Sequence, residues 1–165
     1  MKNSFFLYII FILIISCNQN EKTSAGKKDS SSVIDSNTLG IPVTNLDLTD
    51  DSVFADGSKP GAWDVAGITR VHALKIFIKD LQYIVANDNR EEISKLIRYP
   101  LNSTIKTQSD FLANYNKIIT PKIKDALAKA NLRQLFRNYK GVMIGNGEIW
   151  IAQEGKDFKI IAINN

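Results

Sequence analysis

The chain has 165 residues, with 21 Lys and Arg against 17 Asp and Glu, a formal net charge of +4, and 44% hydrophobic residues. That length bounds it to one modest domain plus any leader. A single Cys and a single His exclude an internal disulfide and a His-rich or Cys-rich metal site.

The chain opens MKNSFFLYIIFILIISC, with Lys2 ahead of an almost unbroken apolar run from Phe5 to Ile15. The run is shorter than the roughly 20 residues a membrane-crossing helix needs. It suits the apolar core of a secretory signal, so residues 1–16 are predicted to be a signal peptide. The run ends at Ile14-Ile15-Ser16-Cys17, which resembles the lipobox of bacterial lipoproteins. The resemblance implies that Cys17 is the lipidation site, that the peptide is cut before it, and that acyl chains such as palmitate tie the mature protein to a membrane. It implies a place in the cell envelope, facing the periplasm or the outside. Asn18 stands where an Asp would retain such a protein at the inner membrane, which points to the outer one. The alternative is an ordinary signal peptide with a chance Cys. Under the lipoprotein reading no thiol is left for catalysis.

Residues 17–40 follow as a stretch rich in Ser, Asn, Lys and Asp. It has too little apolar surface to offset the entropy of ordering and reads as a flexible tether. Residues 41–67 differ, with Val43, Leu46, Leu48, Val53, Phe54 and Trp63 set among acids, Gly and Pro. They read as an extended acidic arm. Asp47, Asp50, Asp51 and Asp56 miss the alternate spacing of a calcium loop, so they read as turn residues and no metal is expected. Charge is uneven along the chain. Residues 18–68 hold 4 basic and 8 acidic side chains, and residues 69–165 hold 16 and 9. The basic residues are scattered without aromatic interleaving, which argues against nucleic acid. The expectation is that the acidic arm lies against part of the basic domain.

The domain proper is expected over residues 68–165. Val71, Leu74, Ile78, Leu81 and Val85 recur at helical spacing, with Thr69 as N-cap. A second, short helix covers REEISKLIRYP, with Glu91 and Glu92 in its first turn and Pro100 as its stop. LNSTIKTQ is an edge strand or a loop. Thr107 and Asp110 fit a capping box, and Phe111, Leu112, Tyr115, Ile118 and Ile119 make the next stripe. Thr120-Pro121 starts a further helix. Leu132, Leu135, Phe136 and Tyr139 extend the helical spacing by another turn or two, to Gly141.

The last two dozen residues are Gly-rich, but no helix follows the glycines, as phosphate binding by a glycine loop requires. Asn146-Gly147 is a turn signal. Val142 to Ile144, Glu148 to Ile151 and Phe158 to Ile163 read as strands. Helices first and an antiparallel meander last make an α+β fold, with helices packed on a curved sheet formed largely by the C-terminal meander. LIRYPL, FLANYNKIITPKIKDAL and GVMIGNGEIWI with FKIIAIN resemble a group of small bacterial secreted domains of unassigned function, of the nuclear transport factor two-like (cystatin-like) fold. That resemblance implies a cone closed by a curved sheet, with LNSTIKT as one of its strands. No catalytic motif of the fold maps onto this chain.

Candidate reactive groups are few. His72 sits in the first turns of the first long helix, beside its apolar stripe, and reads as a surface residue or a lone general base. Strand alternation puts Glu148 and Trp150 on one face. On a concave face, Glu148 points into a pocket beside Tyr83 or Tyr115, with its pKa raised by burial. Otherwise it is a rim glutamate paired with a lysine. Two functions follow. One is a lipid-anchored envelope binding module without catalysis or cofactor, taking a small apolar molecule, a peptide or an envelope protein. The other is a small hydrolase or isomerase using Glu148 and a tyrosine.

Overall fold

The computed structural model describes residues 42–165 and, of the preceding segment, the backbone of residues 33–34. The expected signal peptide, the expected lipidation site Cys17 and the expected tether lie outside the described residues, apart from that two-residue strand. β1 (Val33–Ile34) pairs antiparallel with β2 (Val43–Thr44). Thr44 then caps α1 (Asn45–Leu48). Its hydroxyl accepts the Asp47 N–H while the Asp47 carboxylate accepts the Thr44 N–H, a reciprocal box around one turn. Val43 and Leu48 are buried. The arm and the domain belong to one compact unit.

α2 (Val71–Ala86) runs through the core and buries Leu74, Ile78, Leu81, Ile84 and Val85. Its N-cap is Arg70, one residue later than expected. Thr69 is occupied elsewhere: its hydroxyl accepts from the Gln153 amide, and the Gln153 carbonyl oxygen accepts the Thr69 and Arg70 N–H groups. A tie to the sheet has displaced a local cap. Asn87 ends the helix and Asp88 turns the chain at φ +53°.

α3 (Arg90–Lys95) is capped by Asn89, which accepts the Glu92 N–H. It stops well before Pro100. The Arg98 N–H donates to the Ile160 carbonyl and the Ile160 N–H to that of Leu96, so this segment runs alongside the last strand instead of winding on. Residues 101–107 form a loop closed on Asn102, whose side chain accepts the Thr104 and Ile105 N–H groups. The strand that the cone resemblance requires there is not formed. α4 (Gln108–Ala113) starts at the Thr107 and Asp110 capping box. α5 (Tyr115–Ile118) continues it after a break at Asn114, and α6 (Pro121–Ala128) starts with Pro at its first turn.

The helical extension expected after Leu132 is corrected by the structure. Leu132 and Leu135 are buried in a turn, and Phe136–Asn138 is a strand, β3. It pairs with β4 (Gly141–Ile144), then come β5 (Ile149–Glu154) and β6 (Asp157–Ile163), all antiparallel in the order β3-β4-β5-β6. The fold is α+β, with the helices on one face of this meander. Val142, Ile144, Ile149, Ile151, Phe158 and Ile160 face inward and are buried with the helix stripes in one core.

Each edge of the four-stranded sheet is met by another segment at one point. The Leu96–Arg98 segment lies along β6. The arm approaches β3 at Gly61, whose carbonyl accepts from the Arg137 Nε at 2.6 Å. A Cβ on Gly61 would stand 2.9 Å from the Arg137 oxygen, so the approach requires glycine.

Candidate functional site

Two carboxylates organise the charged side chains. Asp50, in the arm, accepts from Lys75 at 2.7 Å, Arg137 at 3.0 Å and the Trp63 indole N–H at 2.7 Å. Arg137 also lies over the Trp63 ring, 3.8 Å from its centroid. Asp51 pairs with Arg133 and accepts from Gln134, and Asp47 faces Lys79 at 3.9 Å. Three arm acids thus meet four cations of the domain. Asp56 turns back onto Ser58. Among the described residues no group of three or more His, Cys, Asp or Glu side chains comes together as a metal site.

The second carboxylate, Asp88, accepts from the Tyr115 hydroxyl at 2.9 Å, from Lys124 at 2.8 Å and from Arg90 at 3.0 Å. These hydrogen bonds hold its carboxyl well below the usual range. Burial, followed by the bond to Asp88, pushes the Tyr115 phenol well above its ordinary value. A weaker acid beside a weaker base is the reverse of a pair tuned for proton transfer near neutral pH.

Glu148 is not the first residue of a strand but the last of the turn between β4 and β5. Its side chain folds back over that turn to accept the Asn146 N–H. The carboxylate fills the space beside Gly145, where a Cβ would collide with it and where φ is +68°. Lys122 stands 3.4 Å away. Hydrogen bonds from its own N–H and that of Asn146, with a smaller contribution from Lys122, lower its pKa. This runs opposite to the raised value expected of a buried base. The rest of its surroundings comes from α6 and the turn after it. Tyr115 is committed to Asp88, Tyr83 is exposed on α2, and His72 is exposed in the first turn of α2. The four candidates therefore do not assemble into one site.

The outward face of the sheet was missed by sequence reasoning. Register places Phe136, Met143, Trp150 and Ala162 in one row across four strands. Phe136 is 41% exposed and the other three are half-buried. A register shift at Trp150/Ile151 brings Ile161 beside this row. Tyr139, 78% exposed at the β3–β4 turn, and Lys140 wall a shallow depression of about 510 Å³ over Trp150, Ile161 and Ala162. The solvated face of an antiparallel sheet ordinarily carries polar side chains. Here its central row carries none.

Searches against protein-family models, curated proteins and solved structures find no match. The site geometry therefore stands alone. Among the described residues, no helix is long and apolar enough to cross a membrane.

Proposed function

We propose that this chain is a lipid-anchored module of the bacterial cell envelope that binds another envelope protein and performs no catalysis of its own. The observation that carries the reading is the apolar row Phe136-Met143-Trp150-Ala162, left open on a sheet whose other face is covered by the helices. Aromatic and Met side chains are the residues that interfaces enrich, and they carry much of the binding energy where they are buried centrally. Each edge of this sheet is interrupted by another segment, at Ile160 on β6 and at Arg137 on β3, which shortens the template for strand addition by a peptide. Recognition is then face-on, by a folded partner with an apolar patch of its own. The enzyme alternative draws no support from Glu148, whose pKa is lowered by hydrogen bonds and whose side chain is folded onto its own turn.

Two measurements test the reading. The intact mass of chain extracted from its native envelope should show acylated Cys17; an unmodified thiol would remove the anchor. A photoreactive benzoylphenylalanine at position 139, next to Trp150, should give one adduct of defined mass in intact cells. That adduct should vanish with Trp150→Ala and persist with His72→Ala. Equal adducts from position 139 and from the remote position 106 would sink the face-on interface.

A further inference from the structure

The start of α2, the end of α3 and the β5–β6 hairpin border an open pocket of about 500 Å³ on another part of the surface. Its floor is aromatic. The Phe77 and Phe158 rings lie 5.6 Å apart, tilted by 42°, with Leu96 beside them. Its rim carries Arg70, Lys156 and Lys159 against one acid, Asp157.

The rim cations are unusual for this molecule. From residue 69 onward there are 16 Lys and Arg, and ten of them form ion pairs with carboxylates among the described residues. Arg70, Lys156 and Lys159 are three of the remaining six, gathered on one aromatic pocket. Two of them are held by neutral partners. Arg70 donates to the Lys156 carbonyl, and Lys159 donates to the Lys95 carbonyl at 2.7 Å. Main-chain oxygens fix their positions without cancelling their charge.

The two walls are also locked together. The Gln153 side chain accepts from the Thr69 and Arg70 N–H groups and donates to the Thr69 hydroxyl and the Gly155 carbonyl. The segment bearing Arg70 is thereby tied to the hairpin turn bearing Lys156. An apolar floor under an excess of positive charge, with Arg70 and Lys159 held by main-chain oxygens, matches a ligand with one anionic end and one apolar end. The volume falls in the range of about 300–1,000 Å³ usual for small-molecule sites. The Arg guanidinium fork suits a carboxylate.

We propose that this pocket binds a small amphiphilic carboxylate, of the medium-chain fatty acid or aryl carboxylate class, with the carboxylate at Arg70 and Lys156 and the tail on Phe77 and Phe158. The site is separate from the outward sheet face and does not depend on it.

Full-length chain carrying fluorophenylalanine, held in zwitterionic nanodiscs, tests this by fluorine NMR, with octanoate, octanol and inorganic phosphate as probes. Octanoate should shift the Phe77 and Phe158 signals and leave Phe136 unmoved. Octanol should bind at least tenfold more weakly, and phosphate should not shift the rings. The double variant Arg70→Gln/Lys156→Gln should weaken octanoate at least tenfold with an unchanged circular dichroism melt. Asp157→Asn should tighten it, since it removes the one rim acid. Equal binding of octanol and octanoate, an unaffected double variant, or shifts confined to Phe136 would overturn the assignment. Shifts of the same rings on adding phosphatidylglycerol to the discs, without octanoate, would also overturn it in favour of a lipid headgroup.

Discussion

Asp50 and Asp88 are built to the same plan and placed in different surroundings. Each carboxylate gathers two cations and one aromatic donor: Lys75, Arg137 and Trp63 for Asp50, and Lys124, Arg90 and Tyr115 for Asp88. The cations at Asp50 are 0% and 4% exposed; those at Asp88 are 41% and 45% exposed. Burial decides what such a cluster does. A buried cation cannot recover its hydration if its partner leaves, whereas an exposed one can. The first cluster therefore fastens the arm to the domain. The second only trims the end of α2 and fixes Tyr115.

The sharpest way to break the comparison is Asp50→Ala, which leaves Lys75 and Arg137 buried beside a missing counter-charge. The expected loss is about 3–5 kcal/mol by urea unfolding, with faster amide exchange through the arm. Lys75→Met should cost much less, about 1 kcal/mol, because an apolar chain of similar length suits the buried site and Asp50 keeps Arg137 and Trp63. Equal costs for the two variants would mean that burial of the cations is not what matters.

These clusters also mark the limit of what the sequence conveys. Signals carried by neighbours were legible: the Thr107 and Asp110 box, Pro121 at a helix start, the α2 stripe, the Asn146-Gly147 turn and the α+β layout. Elements fixed by distant partners were not. Leu132, Leu135, Phe136 and Tyr139 imitate a helix face, but Arg137 between them reaches Asp50, 87 residues away, and Gly61, 76 away. That long-range commitment draws residues 136–138 into a strand and turns Phe136 outward. Alternation puts Glu148 on a strand because it ignores what a carboxylate can do within its own turn. The cationic pocket was illegible for the same reason as β3, since Arg70 and Lys156 stand 86 residues apart. The exposed row on the sheet became readable only with the register known, because alternation sets Trp150 apart from Ile149 and Ile151 without saying which face the helices cover.

A smaller effect probes the aromatic donors. Tyr115→Phe keeps the buried ring, its edge contact with Phe111 at 5.9 Å and the Arg90 guanidinium over it at 4.5 Å. It removes only the hydroxyl bond to Asp88. Because Asp88 retains two cations and water, the cost should be about 1 kcal/mol, read from the urea midpoint at pH 7. A loss comparable to that of Asp50→Ala would place the two clusters in one class.

The most delicate test is the pH dependence of the exposed cluster. The Asp88 carboxyl is held below its unfolded value, about 3.9 for a free Asp, by bonds from Lys124, Arg90 and Tyr115. A depressed folded pKa contributes stability that is fully present above the unfolded pKa and is lost as pH falls toward the folded one. Asp88→Asn isolates this charge, since Asn tolerates the left-handed backbone at φ +53° and keeps an acceptor for the tyrosine. At pH 7 the variant should be the less stable chain. Between pH 5 and pH 2 the wild type should lose its advantage, and the two urea midpoints should converge. Asp47, Asp110 and Glu148 are lowered as well, so both chains will weaken in acid. Only their difference reports Asp88. Curves that stay parallel down to pH 2 would show that solvent screening has erased the cluster's contribution, leaving Asp50 as the one ionic hub that matters to the fold.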